Sequence, residues 1–576
     1  MPELPKIDIR PDYWDIVRDI LQKHVPQYAV WAFGSRAKWT AKEYSDLDLS
    51  IITDKPLSLD VSASLSDDLS ESDLPWKVDI VDWASTSESF RKVIERDKVV
   101  VQEASKTMQP AARMDTWASK ELIDCTTDGL ISYGIVQPGR HDEEGVPIIR
   151  VNNFKNGSLD TSDVLHVAVS IEESYKRTRL GGGEVLLTLV GSTGQTAIVT
   201  DDLVGWNVAR AIAVIRPSPE IGAKWINICL QSDETKRFLD DRANTTVQKT
   251  LNLADVKRIP IPIPPTAVRH AIETVITSIT DKIDLNRRIN QTLEAMAQVI
   301  FKSWFVDFDP VKAKIAANEQ GEDPLRAAMR AISGKTDTEL DQMPREHHDQ
   351  LATTAALFPD AMQESELGEI PKGWEVSTIG EMVEIAGGAT PDTKNESYWN
   401  PPEYFWTSPK DLSGAQSPVL LTTERKISTA GLSRIGSGLL PKGTLLMSSR
   451  APIGYLAITQ IPVAINQGYI AMLPGGNLPP LYLLMWCQQN MEEIKGQANG
   501  STFMEISKKA FRPMLVINPG SVVLDRFIET VAPLFGKLAE GVKESSQLAE
   551  LRDTLLPKLL SGELRVPDAE CSMEEV

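Results

Sequence analysis

"DKIDLNRRINQTLEAMAQVIFKSWFVDFDPVKAK", residues 281–314, decides how the rest of the chain is read. Just upstream, Ile272, Ile276, Ile279 and Ile283 step by four and three, and Ile289, Leu293, Met296, Ile300 and Trp304 resume the stripe. Alternating 4-3 spacing predicts a helix with a narrow apolar seam for one partner helix, not a broad globular face. Asn286 falls on that seam, where a polar side chain costs stability but fixes register. About 33 such residues make a rod of roughly 50 Å. The partner lies near the end of the sequence. There Leu524, Ile528, Val531, Phe535, Leu538 and Val542 repeat the spacing, continued by Leu548, Leu551, Leu555 and Leu559.

Each helix closes one copy of a repeated pattern. "ANTTVQKTLNLADVKRIPIPIPP" (243–265) corresponds to "ANGSTFMEISKKAFRPMLVINPG" (498–520), and the helices that follow share "IETV" at 272–275 and 528–531. Upstream, "EVLLTLVGSTGQTAIV" parallels "TLLMSSRAPIGYLAIT", with Gly194 against Gly454, and Asn207 is matched by Asn466. Trp117 and Trp374 open the two copies. A period this long is a duplicated domain, not a solenoid.

At 576 residues the chain exceeds a single core. Its 42% hydrophobic and 24% charged residues are ordinary for a globular protein. No apolar run approaches the roughly 20 residues that span a bilayer, so no membrane role is expected. "MPELPKIDIRPDYWDI" has no basic segment leading into an apolar one. Cys125, Cys229, Cys487 and Cys571 lie far apart, which argues against a zinc site or disulfide framework and for a cytoplasmic location. The net charge of −20 is uneven. Residues 1–110 hold 14 Lys/Arg against 20 Asp/Glu, and residues 306–370 hold 6 against 14. The tail "PDAECSMEEV" adds more acid, so the repeated body is close to neutral and able to present a basic face to phosphates.

The head reads differently. In "FGSRAKWTAKEYSDLDLSII" (33–52) an apolar strand runs into a Gly-Ser turn, and a second strand carries Asp46 and Asp48. Period-2 alternation puts both carboxylates on one face, a hard-oxygen pair suited to Mg²⁺ and to bridging the phosphates of a nucleoside triphosphate. Backbone N–H groups at Gly34 and Ser35 are placed to hold terminal phosphates. "WKVDIVDW" brings Asp79 and Asp82, of which Asp79, mid-strand, is the better third carboxylate.

The Gly-Ser turn, the Asp-x-Asp pair and the later Asp resemble the minimal nucleotidyltransferases of the polymerase-beta-like superfamily over residues 1–108. The resemblance implies that Asp46 and Asp48 hold metal and that Asp79 is a metal ligand or base. It also implies nucleotide binding by Gly34, Ser35 and Arg36, with Trp39 standing where many members have Gly. The motifs of the 281–314 stretch, with "ELGEIPKGW", "KRIPIPIPP" and "LRDTLLPKLLSGELRV", resemble the specificity subunit of Type I restriction-modification systems over about residues 110–566. That resemblance implies two target-recognition domains, each reading half of a bipartite site in double-stranded DNA. It also implies helical regions that pair antiparallel, set the gap and dock methyltransferase subunits, with restriction/translocase subunits joining them.

The fold expected is an α/β (α+β) multidomain chain. Its parts are a nucleotidyltransferase-like head, 1–108; a target-recognition domain, 109–265; a central helical region, 266–306; and an acidic linker, 307–370, partly disordered with a short helix at "PLRAAMRAI". A second target-recognition domain, 371–520, a C-terminal helical region, 521–566, and an acidic tail, 567–576, follow. "SGKT" (333–336) lacks the first Gly of a phosphate loop, having Met329 there, and "NPPEYF" (400–405) has Glu403 in place of the aromatic of a methyltransferase signature. The body is therefore read as non-catalytic, aiming adenine methylation and restriction by partners that hold S-adenosylmethionine and ATP. For the head, an active enzyme, an inactive docking module and a toxin–antitoxin-type fusion are the alternatives. Polar loops supply the candidate DNA contacts: Arg242, Asn244, Thr245, Gln248 and Lys249 in the first copy, and Arg450, Gln497, Asn499 and Ser501 in the second.

Overall fold

The structure, a computed structural model, describes residues 5–566 apart from 27, 43–44, 54–56, 58, 71, 73, 87, 104–116, 156–157, 243–249 and 500–503. It divides into two compact units, one formed by residues 1–124, 260–264 and 558–565, the other by 125–259, 265–557 and 566–576. Among the described residues no helix is long and apolar enough to cross a membrane.

The first unit contains helix α1 (Pro11–His24), strands β1 (Ala29–Phe33) and β2 (Leu47–Ile52), helix α2 (Leu59–Ser70), strand β3 (Val78–Asp82), helix α3 (Glu88–Asp97) and strand β4 (Val99–Gln102). The strands form one sheet in the order β3-β2-β1-β4. Alternation along β2 sends Leu47, Leu49 and Ile51 into a core with Val30, Ala32, Trp14, Val17, Leu21 and Leu65. Asp48 therefore falls on the opposite face. In the same unit the short strands Ser119–Glu121 and Pro260–Pro262 pair, and the Trp117 indole donates to the Leu559 carbonyl at 3.2 Å.

The second unit holds two lobes with the same plan. In the first, β5 (Thr126–Tyr133), β6 (Val146–Ile149), β7 (Leu165–Val167), β8 (Val185–Thr188), β9 (Thr196–Ile198), β10 (Asn207–Val208) and β11 (Ile212–Pro217) precede helix α4 (Ala223–Gln231). Strands β9-β8-β11-β5 form one sheet and β7-β6-β10 another. After helix α5 (Thr266–Phe305) come α6 (Asp309–Gln320), α7 (Pro324–Ser333) and α8 (Arg345–Ala356). The second lobe then brings β12 (Ile385–Ala386), β13 (Tyr404–Thr407), β14 (Arg425–Ile427), β15 (Leu445–Ser449), β16 (Ile453–Thr459), β17 (Ala464–Ile465), β18 (Tyr469–Met472), α9 (Pro480–Gln489) and α10 (Ser521–Ser561). Its larger sheet runs β16-β15-β18-β12, with Val419–Leu420 added beyond β16, and its smaller sheet runs β14-β13-β17. In both small sheets the central strand pairs antiparallel on one side (β6 with β7, β13 with β14) and parallel on the other (β6 with β10, β13 with β17). Matching strand order and sense establish the duplication independently of residue identity.

Helices α5 and α10 pair antiparallel, rising residue numbers on one meeting falling numbers on the other. Phe527 of α10 packs on Phe301, Trp304 and Phe305. Further along, a Cβ on Gly541 would lie 2.6 Å from Asn290 Oδ1. Beyond that, Asn286 Nδ2 donates to Glu544 Oε2 at 2.7 Å and Lys282 sits 3.2 Å from the same carboxylate. The seam departs from the expected one in its second half. Ile289 and Met296 are 39% and 48% exposed, while Asn286, Asn290, Ala297, Phe301 and Trp304 are buried. Hydropathy alone favours Ile289 over Asn290 and Met296 over Ala297. Close helix approach instead requires small or hydrogen-bonding residues where Gly541 and Glu544 come near.

The segment expected as a partly disordered linker, 307–370, is ordered: helices α6, α7 and α8 lead into the paired strands Met362–Ser365 and Gly368–Pro371. Its acids lie on outer faces, and Ala328, Met329, Leu340 and Ala355 form a small core. Asp323 caps α7. Thr336 and Glu339 form a capping box at the next turn. Arg326 and Arg330 both bind Asp337. Composition registered the charge and missed an alanine-rich amphipathic pattern.

Glu294 on α5 accepts from Gln488 Nε2 at 2.7 Å in the second lobe, and burial holds its carboxyl above the usual range. A raised folded-state value means that ionised Glu294 opposes folding. Its contribution is favourable below the unfolded value of about 4.3 and is lost as pH rises through the folded one. Glu294→Gln is therefore expected to raise the thermal midpoint at pH 8 and to leave it unchanged near pH 3.5, which calorimetry at the two pH values checks.

Candidate functional site

In the head, β1 delivers the chain to Gly34 at φ +76°, and a Cβ there would lie 2.1 Å from Asp48 Oδ2. Only glycine combines this left-handed backbone with such an approach to the carboxylate. The register places Phe33 opposite Asp48 across the antiparallel pair, and Asp48 level with Asp79 across the parallel one. Burial first, then the charges of Asp79 and Asp46, hold the Asp48 carboxyl above its usual range. The structure thus brings Gly34, Asp46, Asp48 and Asp79 to one face. Lys77 Nζ, 2.5 Å from Asp79, supplies a counter-charge that the motif did not announce.

Asp82 is occupied otherwise: it accepts from Leu57 N at 2.6 Å and Ala84 N at 2.9 Å, capping the turn after β3. Ser35 begins the turn with Gly34, and its carbonyl accepts from Thr40 N at 3.0 Å. Arg36 is buried. Its guanidinium donates to the Ser45 and Asp8 carbonyls, each at 2.9 Å, and stacks over Trp76. Those bonds brace the loop between β1 and β2. Trp39 is 65% exposed with φ +58°, a conformation glycine adopts freely, which accounts for the suitability of Gly at this turn. Among the described residues no three His, Cys, Asp or Glu side chains converge as a ready metal cluster. The donor set nevertheless fits a divalent cation: Asp46 and Asp48 offer hard oxygens, and the charges of Asp79 and Asp46 crowd the Asp48 carboxyl. Gly34→Ala is expected to reduce nucleotide-dependent activity of the head to that of Asp48→Ala, because the new methyl displaces the carboxylate; side-by-side transfer assays check it.

Of the candidate DNA contacts, Asn244, Thr245, Gln248, Lys249 and Ser501 lie outside the described residues. Arg242 is exposed, with its guanidinium 3.8 Å over the Phe238 ring. In the second lobe Glu505 bridges to both Arg450 and Asn499 through the backbone, and Arg450 Nη1 lies 3.6 Å from the Glu505 carboxylate. Gln497 ends the short helix before Asn499 and is exposed. Arg450 also lines a cavity of about 400 Å³ with Lys410, Tyr455 and Asn466. The structure therefore gathers Arg450, Gln497 and Asn499 along one loop system.

Two lobes of one topology on an antiparallel helix pair, joined to a carboxylate-bearing sheet, define a class of protein. Residues 137–295 and 371–519 match the family model of the Type I restriction modification DNA specificity domain, and residues 16–107 match that of polymerase beta, nucleotidyltransferase. The chain belongs to the Type I restriction-modification specificity subunits and carries a nucleotidyltransferase-like domain at its head. It is 32% identical over 403 residues to the Type I restriction enzyme HindI specificity subunit of Haemophilus influenzae, covering 66% of this chain and 86% of that one. The head is 51% identical over 109 residues to the probable protein adenylyltransferase MntA of Haemophilus influenzae, covering 19% of this chain and 96% of that one. A crystal structure of the Type-I restriction-modification system S subunit from M. genitalium aligns over 77% of this chain and 96% of that one at 14% identity, with a TM-score of 0.41.

Proposed function

We propose that this subunit reads a bipartite target in double-stranded DNA, one lobe to each half, and so directs adenine methylation and restriction by partner subunits in the cytoplasm. The observation that carries the reading is the seating of the lobes on opposite halves of the helix pair. The first lobe meets α5 between Arg269, which donates to the Glu220 carbonyl, and Ser278. The second meets it between Ile283 and Phe305. From Arg269 to Phe301 the helix rises about 48 Å at 1.5 Å per residue. S-adenosylmethionine and ATP belong to the partners. Methylome sequencing of a host with and without this gene tests the reading. It predicts one split motif, and a continuous motif or none overturns it.

Exposed apolar residues of α5 that stay off the helix pair supply the docking face. Leu285, Ile289, Met296 and Val299, at steps of four, seven and three along α5, are 44%, 39%, 48% and 66% exposed. A methyltransferase-subunit helix laid on this stripe would bury it. Ile289→Asp with Met296→Asp is expected to cut co-purification of that subunit at least tenfold without loss of helical circular dichroism. An intact complex contradicts the docking role.

For the head, the reading is a Mg²⁺-dependent nucleotidyltransferase acting on a protein. Asp46 and Asp48 would hold the metal, which supplies charge neutralisation across the triphosphate. The Gly34–Ser35 turn orients the phosphates, and Asp79, held by Lys77, accepts the proton of the attacking hydroxyl. A docking role is the second reading, favoured by the exposed apolar Phe90, Val93 and Val100 of α3 and β4. It predicts that deleting residues 1–110 alters assembly while Asp46→Ala with Asp48→Ala does not.

A further inference from the structure

Arg425 and Arg434 lie on one side of the small sheet of the second lobe. Arg425 opens the edge strand β14, opposite Trp406. Its guanidinium sits 3.4 Å over the Trp399 ring and 5.7 Å from that of Trp406. The two indoles pack edge to face at 5.3 Å and are themselves buried. Arg434 stacks 5.3 Å over Tyr398, the neighbour of Trp399 in sequence. Both arginines are exposed. The segments carrying them are stitched to the aromatic turn: Ser428 N donates to the Tyr398 carbonyl at 3.0 Å, and Ser428 Oγ donates to that of Ser397 at 2.6 Å.

What these cations lack is a carboxylate. The acids nearest to them in sequence are committed elsewhere: Glu403 to Thr429 N and Oγ1, Glu424 to Lys410, and Asp411 to Ser408 N and Glu424 N. Among the described residues neither Arg425 nor Arg434 forms an ion pair. Stacking fixes the guanidinium plane while its N–H donors, which lie in that plane, stay open to a planar or tetrahedral anion. In the first lobe Leu165 of β7 occupies the register position of Arg425.

We propose that Arg425 and Arg434 form a clamp on the phosphate backbone of double-stranded DNA that positions the second lobe irrespective of base sequence. The proposal rests on the reading that the lobes bind DNA. Backbone contacts of this kind fix register and release counterions, and each neutralised phosphate contributes about 0.9 to the salt slope of binding.

The test measures binding of the co-purified complex to a mixed-sequence duplex and to one carrying the methylated motif, across a salt series. Arg425→Met keeps a polarizable side chain on the indole without the charge. Combined with Arg434→Met, it is expected to lower the salt slope by about 1.8 and to weaken binding to both duplexes by the same factor. Arg425→Lys in the Arg434→Met background is expected to recover about half of the slope. Lys426→Met, opposite Phe405 and therefore on the other face, is expected to leave it unchanged. Arg434→Met alone carries the test, with an expected drop of about 0.9, if the double variant does not fold. An unchanged slope in a folded variant, a loss confined to the methylated motif, or a lost subunit with DNA binding intact would each overturn the clamp. The last would assign the patch to a protein contact. A wild-type complex that binds neither duplex overturns the recognition reading itself, and the clamp with it.

Discussion

Asp46→Ala combined with Asp48→Ala is expected to bring nucleotide transfer by the head down to the rate seen without protein, while DNA binding and methylation by the assembled complex persist. The separation of effects follows from the architecture. The two carboxylates lie on the sheet face opposite the core built by Leu47, Leu49 and Ile51, so their removal leaves packing intact. It also removes like-charge crowding around Asp79, and the folded head is not weakened. Incubation with Mg²⁺, labelled ATP and each partner subunit reads the result. Full transfer by the double variant would refute the assignment of the site, and loss of methylation in the same variant would refute the independence of head and body.

Phe527→Ala is expected to cost the body about 3–5 kcal/mol, the range for emptying a fully buried phenylalanine site. Phe527 is wholly buried and touches Phe301, Trp304 and Phe305 of the partner helix and Tyr482 of the second lobe. One side chain thus ties α10 to α5 and both to a lobe. Its neighbours are large rings on two different elements, α5 and α9, which relax poorly into a void. Denaturant unfolding followed by tryptophan fluorescence measures the loss. A cost below about 1 kcal/mol would show that the helix pair does not depend on this cluster.

Much of this organisation was legible because it is written as repetition or as tight spacing. The "IETV" repeat and the paired glycines Gly194 and Gly454 announce the duplication, and both glycines take positive φ in equivalent hairpins. Asp-x-Asp on a strand puts two carboxylates on one side by geometry alone, and the Asp48–Asp79 pairing follows once β2 and β3 run parallel. Three-body contacts were not legible. Two apolar stripes at 4-3 spacing run along α5, and nothing local says which faces α10. Gly541 and Glu544, some 250 positions away, select the face carrying Asn286 and Asn290. Composition hid the helices of 307–370, because alanine contributes little hydropathy yet packs well around Met329 and Leu340. Arg36 followed the Gly-Ser-Arg motif, but only its surroundings, the Ser45 and Asp8 carbonyls and Trp76, show the loop-bracing bonds it makes. Lys77 carries no sequence signal at all.

In the proposed function the length of the helix pair sets the distance between the two half-sites. Inserting one heptad into α5 and one into α10 at facing positions lengthens the rod by about 10.5 Å, or roughly three base pairs of duplex. Methylome sequencing of cells carrying the extended chain measures this directly. The expected motif keeps the original two half-sites with a spacer about three base pairs longer. Methylation at the original spacing would contradict it.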